Sequence, residues 1–286
     1  MTPGILYAIA ALLCFGVADL IYKAGARAGV PAHQFVMVQG WCFFPLALAW
    51  ALLTRGLVLV PATLWGCGAG LFIYLAFYFF ARSLKGGPVT VIAPTFRLSF
   101  VLTAALAVAF LGEPVTALKL AGLVLTALAV WLLLGGGVPA LKETQAPISS
   151  AAYLHVAIAT GALGIANFIY KIGLAAGSTP ASMIVAQASV FIVLSTGIAF
   201  SLDKRLRPVR IAWRYAGPAA LLLLSAFLLT LEGLARGQAS VIVPVTQMGF
   251  VVTVALGCAV LHEPFTGRKA LGLASAVAAI LSLALS

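Results

Sequence analysis

Charged side chains are scarce in this chain. Asp, Glu, Lys and Arg make up 8% of its 286 residues, and only six of these residues are acidic. Because about a quarter of an ordinary soluble chain is charged, the composition excludes a water-soluble protein. Hydrophobic residues make up 63% of the chain, and the mean hydropathy is +1.16. The lipid bilayer is therefore the expected solvent for most of the protein.

The residues that usually build catalytic and metal sites are also few. The three histidines, His33, His155 and His262, are scattered, and the four cysteines lie in apolar blocks without CxxC spacing. This distribution argues against disulfides, metal sites and an intramembrane transferase. The sequence has no G-x-x-x-x-G-K-[ST] loop, which argues against direct ATP drive within the chain. We expect no cofactor, no metal and no enzymatic activity.

Long uncharged blocks predict membrane-spanning helices. Residues 56–81 and 151–170 contain no Asp, Glu, Lys or Arg, whereas a membrane barrel would need short strands of alternating polarity. At about 20 residues per span, the chain accommodates on the order of ten helices. The expected spans are residues 4–24, 34–54, 63–81, 88–110, 117–134, 152–172, 181–201, 214–234, 238–260 and 268–286.

The second half of the sequence repeats the first. GVADLIYKAG at 16–25 matches GIANFIYKIG at 164–173, and Glu113-Pro114 matches Glu263-Pro264. We therefore predict two five-helix repeats, 1–137 and 151–286, joined by a connector at 138–150. An odd number of helices turns the second copy over in the membrane. Inverted repeats of this kind support alternating access in many secondary transporters.

Two short turns carry a family resemblance. Gly112-Glu113-Pro114 and His262-Glu263-Pro264 each precede a short helix with an internal glycine, and Pro94 and Pro244 lie within the helices before them. Together these motifs resemble the two EamA-type repeats of the drug/metabolite transporter (DMT) superfamily. The resemblance implies an all-α bundle of ten transmembrane helices, arranged as two inverted five-helix repeats. It also implies a central cavity lined mainly by helices 1, 3, 4, 6, 8 and 9, with helices 5 and 10 at the periphery.

Ionisable residues inside the spans are the main candidates for function, because each costs about 2.5–3.5 kcal/mol to insert. Asp19 and Lys23 lie one turn apart in helix 1, and Arg97 lies in the middle of helix 4. Lys23 and its counterpart Lys171 could instead extend to the membrane interface. Arg97 could form a fixed ion pair with Asp19 or Glu232, or bind a carboxylate with its planar fork.

The full set of candidates combines these residues with their counterparts in the second repeat. The expected substrate-binding residues are Asp19, Tyr22, Lys23, Tyr74, Tyr78, Arg97, Asn167, Tyr170, Lys171 and Gln247, with Pro94 and Pro244 as hinges and Asp19 and Glu232 as proton-coupling residues. Tyr74 and Tyr78 could equally be packing residues. The matched amides of Gln39 and Gln187 could bond a neighbouring helix or substrate. Glu113 and Glu263 are expected at the N-termini of helices 5 and 10.

The charges predict the class of substrate. With Lys23, Arg97 and Lys171 facing inward beside Asp19 and Glu232, the site would carry 3 − 2 = +1, which favours anionic or zwitterionic ligands. The sequence therefore predicts a secondary exporter of amino acids or other carboxylate-bearing metabolites in a bacterial inner membrane. A cationic drug or polyamine exporter is the alternative. The expected partners are a small-molecule substrate, membrane lipid and a coupling ion such as H⁺, but not nucleic acid.

The orientation in the membrane can be tested directly. Of the Lys and Arg residues near the expected loops, twelve lie on one face and four on the other. By the positive-inside rule, this count predicts that both termini are outside, whereas the resemblance implies termini inside. Alkaline phosphatase fused after Ser286 folds only in an oxidising compartment. The charge count predicts an active fusion, and an inactive one would favour the family orientation.

Overall fold

The regular structure of this chain is helical. The computed structural model describes residues 3–83, 95–133, 149–252, 256 and 266–286, apart from the side chains of Lys23, Ala26, Arg27 and Leu133. In these ranges the α-helices are α1 (Pro3–Arg27), α2 (Ala32–Leu53), α3 (Leu64–Ser83), α4 (Ser99–Leu111), α5 (Ala117–Leu133), α6 (Ser150–Ala175), α7 (Pro180–Asp203), α8 (Arg210–Arg236), α9 (Ala239–Gln247) and α10 (Gly267–Ala284). A 3₁₀ turn, Pro61–Thr63, precedes α3.

Seven helices in the described ranges are long and apolar enough to cross a membrane. They are α1, α2, α3, α6, α7, α8 and α10. Thr95–Leu111, Ala117–Leu132 and Ala239–Val252 form shorter apolar helices. The prediction of an all-helical, multi-pass membrane protein is confirmed. The expected spans 88–110, 117–134 and 238–260 coincide with the three shorter helices, but residues 88–94 and most of 253–260 lie outside the described residues.

Polar residues at the helix ends explain where several helices begin and end. The side chains of Ser149, Thr179 and Thr266 each accept a hydrogen bond from a backbone N–H in the first turn of α6, α7 and α10. Such caps satisfy amides that have no partner within the helix. Gly112 ends α4 with φ at 64°, a left-handed conformation that costs glycine little.

The helices pack in a pattern that is preserved when the two halves are exchanged. Helix α1 packs along α8 as α3 packs along α6, and α1 contacts α9 as α4 contacts α6. Helices α2 and α7, α4 and α9, and α5 and α10 each pack directly on one another. Helices α5 and α10 make most of their contacts with each other, which agrees with the peripheral position that the family resemblance implies.

Glycines set the distances at the closest helix crossings. A Cβ atom on Gly70 of α3 would lie 2.5 Å from the backbone oxygen of Gln187 in α7. A Cβ on Gly66, one turn earlier, would lie 2.7 Å from the oxygen of Met183. Small residues allow such backbone approach between membrane helices, where packing replaces much of the hydrophobic driving force.

We expect Gly70→Ala to destabilise the protein by about 1–3 kcal/mol, because the added methyl group would force α3 away from α7. Gly197→Ala is the matched control. No atom lies within 4 Å of a Cβ built on Gly197, so the alanine should be neutral or stabilise α7 by up to about 1 kcal/mol. The melting temperatures of the purified variants in detergent provide the measurement. Equal melting temperatures would contradict this account of the crossing.

Candidate functional site

A buried arginine joins three helices in the interior of the bundle. Arg97 lies two residues before α4, in the helical turn that begins at Thr95, and is 9% exposed. Its Nη2 donates a hydrogen bond to the Asp19 carboxylate of α1, and its Nη1 donates to Gln247 Oε1 of α9 at 3.1 Å. A guanidinium remains charged in proteins, so a buried one needs partners of this kind. Of the two acidic partners considered for Arg97, the structure pairs it with Asp19.

The Asp19 side chain lies on the inner face of α1 and is only partly buried. Leu12, Phe15 and Asp19 recur at the spacing of one helix face, and Leu12 and Phe15 are buried. The lipid-exposed side of α1 carries Leu6 and Leu13 instead. The side chain of Asp19 nevertheless keeps 36% of its surface accessible. Since its partners come from α4 and α9, this accessible surface faces the interior rather than the surrounding lipid.

Equivalent irregularities interrupt the helices that carry Arg97 and Gln247. Leu98 follows Arg97, and Met248 follows Gln247. The backbone N–H of each donates to the carbonyl three residues earlier, at 3.2 Å for Leu98 and 3.1 Å for Met248. The same short-range bond recurs three residues later in both helices, at 2.9 Å. Short 3₁₀ segments within a helix often mark hinges. Both polar side chains therefore lie at points where the helix geometry changes.

The two predicted hinge prolines differ in what the structure describes. Pro244 is buried within α9, three residues before Gln247. Because proline has no backbone N–H, it removes one bond from the helix ladder close to the irregularity at Met248. Pro94 lies outside the described residues. The hinge role of both prolines stays a prediction.

Tyr22 and Tyr170 make the same hydrogen bond in the two halves. The hydroxyl of Tyr22 donates to Gln39 Oε1, and that of Tyr170 donates to Gln187 Oε1. Of the two alternatives for these glutamines, the structure shows a bond between helices, which joins α1 to α2 and α6 to α7. A role of the tyrosines in binding substrate stays a prediction.

The tyrosines of α3 lie in an aromatic cluster. The rings of Tyr74 and Tyr78 stack with centroids 5.6 Å apart, and Tyr74 also packs edge-on against Phe191 of α7. The Arg82 guanidinium lies 5.6 Å from the Tyr78 ring centroid. These contacts agree with the packing alternative, and a role in binding is untested.

Glu113 caps a helix in the other half of the chain. Its carboxylate accepts hydrogen bonds from the backbone N–H groups of Ala239 and Ser240, at 2.7 and 3.0 Å, and from the Ser240 hydroxyl. These are the first residues of α9. Glu113 thus acts at a helix N-terminus, as expected for this acid, but the helix that it caps is α9, because the α4–α5 turn lies against the α8–α9 turn. Glu263 lies outside the described residues.

Two lysines complete this second polar cluster. Lys119 is almost fully buried, and its Nζ donates to Gln238 Oε1 at 2.5 Å. Lys171 Nζ donates to the carbonyls of Leu234 and Gly237, at 2.8 and 2.6 Å. A cation at the end of a helix satisfies carbonyls that lack intrahelical partners. Lys171 therefore caps the C-terminal end of α8.

Two further predicted site residues, Glu232 and Asn167, have surroundings of their own. Glu232 forms an ion pair with Arg236 one turn later in α8. The Lys23 side chain is outside the described part of the chain. Asn167 of α6 is only 3% exposed, and its Nδ2 has no hydrogen-bond partner among the described residues. Of the predicted binding residues, the structure brings Asp19, Arg97 and Gln247 together.

A separate crevice of about 540 Å³ lies between α4 and α6. Its lining is apolar throughout and consists of Leu106, Phe110, Leu111, Ile165, Phe168 and Ile172. The polar cluster around Arg97 does not contribute to it. Within the described ranges, no three His, Cys, Asp or Glu side chains come together as metal ligands.

Comparison with known proteins identifies the family. Residues 2–135 match the sequence profile of the EamA-like transporter family. The first half of this chain belongs to that family, within the DMT superfamily. A solved structure described only as "Crystal structure of protein" has the same fold as this EamA-like protein, with a TM-score of 0.81 at 19% identity over 99% of this chain and 96% of the other. No curated protein matches the sequence significantly.

We expect Glu113→Gln to destabilise the EamA-like protein by about 1.5–3 kcal/mol, because the first backbone amides of α9 and the Ser240 hydroxyl lose a charged acceptor. Glu232→Gln removes the same charge from a partly exposed pair at a helix end, so its effect should stay within about 1 kcal/mol. Thermal unfolding in detergent measures both. The assignment of Glu113 as a cap would be wrong if the two variants unfolded at the same temperature.

Proposed function

We propose that this EamA-like protein is a secondary active transporter that exports small carboxylate-bearing metabolites, with amino acids as the leading class, by alternating access. Its proposed location is a bacterial inner membrane. The observation that carries the proposal is the Asp19–Arg97–Gln247 cluster, which joins three helices inside the bundle and leaves the Asp19 side chain partly accessible. Placing a charged pair inside a membrane protein costs free energy. Residues of this kind are therefore functional candidates by default.

The proposed architecture is a ten-helix inverted repeat, with 1–137 and 151–286 as the two units and 138–150 as the connector. The exchangeable packing of the helices supports it. Further support comes from Arg97 and Gln247, which are counterparts in the two units and contact each other. Residues that touch their own counterparts lie next to the axis that relates two repeats. Transporters of this type bind substrate at the interface between their repeats.

The charge of the cluster favours a zwitterion. Lys171 is bound to carbonyls of α8, and Glu232 is paired with Arg236, so neither contributes to the sum of +1 expected from the sequence. The described cluster contains one cation and one anion. Its two hydrogen bonds use two of the five N–H groups of Arg97. A substrate carboxylate could bind the guanidinium fork, while a substrate ammonium group could bind Asp19.

Substrate binding of this kind would loosen a contact that holds the bundle together. The Arg97–Asp19 ion pair joins α4 to α1. A zwitterionic substrate would break this pair, because its carboxylate would bind Arg97 and its ammonium group would bind Asp19. The irregular segments after Arg97 and Gln247 are the proposed hinges. Proton coupling is assigned to Asp19, because its side chain is partly accessible within the interior ion pair. Glu232 is instead paired with Arg236 at the end of α8.

The test is counterflow of a radiolabelled equimolar mixture of the proteinogenic L-amino acids into proteoliposomes. We expect Arg97→Gln to lower the counterflow rate at least tenfold, the equivalent of about 1.4 kcal/mol, because glutamine cannot grip a carboxylate with two charged N–H groups. Arg205→Gln, an exposed arginine in the α7–α8 loop, is the matched control and should transport at the wild-type rate.

A folding defect is separated from a binding defect by the double variant Asp19→Asn with Arg97→Gln. It leaves no unpaired charge, so we expect it to fold at least as well as Arg97→Gln and to remain inactive. Wild-type counterflow in Arg97→Gln would overturn the proposed site. Wild-type protein that ignores amino acids and exchanges a labelled polyamine would instead support the cationic alternative.

A further inference from the structure

Two polar side-chain atoms are fully enclosed and have no hydrogen-bond partner in the described structure. They are Asn167 Nδ2 in α6 and Ser99 Oγ in α4. Almost all buried polar groups in proteins are paired, and each exception needs an explanation. Removal from water without a partner is especially costly within a membrane. These two atoms therefore mark a place where another hydrogen-bonding group belongs during the working cycle.

The two side chains belong to the same contact between α4 and α6. A Cβ on Gly164 would lie 2.9 Å from the Ser99 carbonyl oxygen, and Thr103 Oγ1 donates to the Gly164 carbonyl at 3.0 Å. Asn167 follows Gly164 by one helical turn, about 5 Å along the axis of α6. The hydroxyl and the amide thus come from two helices in contact and lie within about one turn of each other along the bundle.

The equivalent contact in the other half explains why Asn167 is left unpaired. Gly16 of α1 meets the carbonyl of Gly249 as Gly164 meets that of Ser99. Asp19, one turn later, is reached by Arg97. The counterpart of Arg97 is Gln247, whose side chain is two atoms shorter and whose carbonyl oxygen already accepts from Arg97. A guanidinium only donates, so the acceptor that Asn167 Nδ2 needs at this position would be Gln247 Oε1, which already accepts from Arg97.

The two equivalent positions also differ in accessibility. Asp19 is partly exposed, whereas Asn167 is buried. In an inverted-repeat transporter, the two halves exchange their roles as access alternates. The same exchange would open space at Asn167 when it closes the space at Asp19.

We infer that Asn167 and Ser99 form a second subsite, which binds a hydrogen-bond acceptor of the substrate in the opposite access state. This inference rests on the function proposed above and deepens it. The carboxylate bound by Arg97 in the state described here is handed to the neutral donors Asn167 Nδ2 and Ser99 Oγ in the other state. Neutral donors hold a carboxylate less tightly than a guanidinium does, which favours release on that side.

The decisive variant is Asn167→Leu, which keeps the size of the side chain and removes the amide. Because the amide is unpaired in this state, the melting temperature in detergent should stay the same or rise. Counterflow of the labelled amino-acid mixture should fall at least tenfold. The thermal shift induced by the same mixture should persist, since Asp19 and Arg97 remain. Ser99→Ala should likewise keep its melting temperature and lower counterflow.

Gln187→Leu is the matched control, because it removes a buried amide that is paired with Tyr170. Its melting temperature should fall. A fall of the same size in Asn167→Leu would show that Asn167 has a structural partner and would overturn the subsite. Wild-type counterflow in both Asn167→Leu and Ser99→Ala would also overturn it. Absence of counterflow in the wild-type protein would instead remove the proposed function, and this subsite with it.

Discussion

The ion pair between Arg97 and Asp19 sets the requirements that the rest of the bundle meets. A guanidinium within the membrane cannot lose its proton, so the chain must bring a carboxylate and an amide to it from two other helices. Helices α1, α4 and α9 therefore converge on one point. The glycines at their crossings allow backbones to approach closely enough for these side chains to meet. The pairing of the interior polar groups therefore depends on the tight packing of the helices.

The charged residues in the described ranges divide into two groups with different physical roles. Asp19 belongs to an interior ion pair and keeps part of its side chain accessible. Glu113 and Lys119 are enclosed and bound to helix-end groups, which gives them no comparable freedom. In a low-dielectric interior both arrangements require pairing, but only the first combines pairing with access. This difference separates a candidate binding site from a structural contact better than the presence of charge does.

The sequence was most informative where its signals are periodic or repeated. Apolar blocks predicted where the helices lie, and the matching motifs predicted that Arg97 and Gln247 are counterparts. The sequence could not show which partners distant residues choose. Lys171 looked like a site residue because it follows Asn167 by one turn, yet its ammonium group caps α8. Ser99 gave no signal at all, since its counterpart Gly249 has no side chain and an unpaired hydroxyl is visible only in three dimensions.

The cap that Glu113 places on α9 has a consequence for how the protein is made. The first amides of α9 need an acceptor, and lipid offers none. That acceptor belongs to a turn more than a hundred residues earlier in the chain, so it has already been synthesised when α9 emerges from the ribosome. Translation order thus supplies the acceptor before the donor.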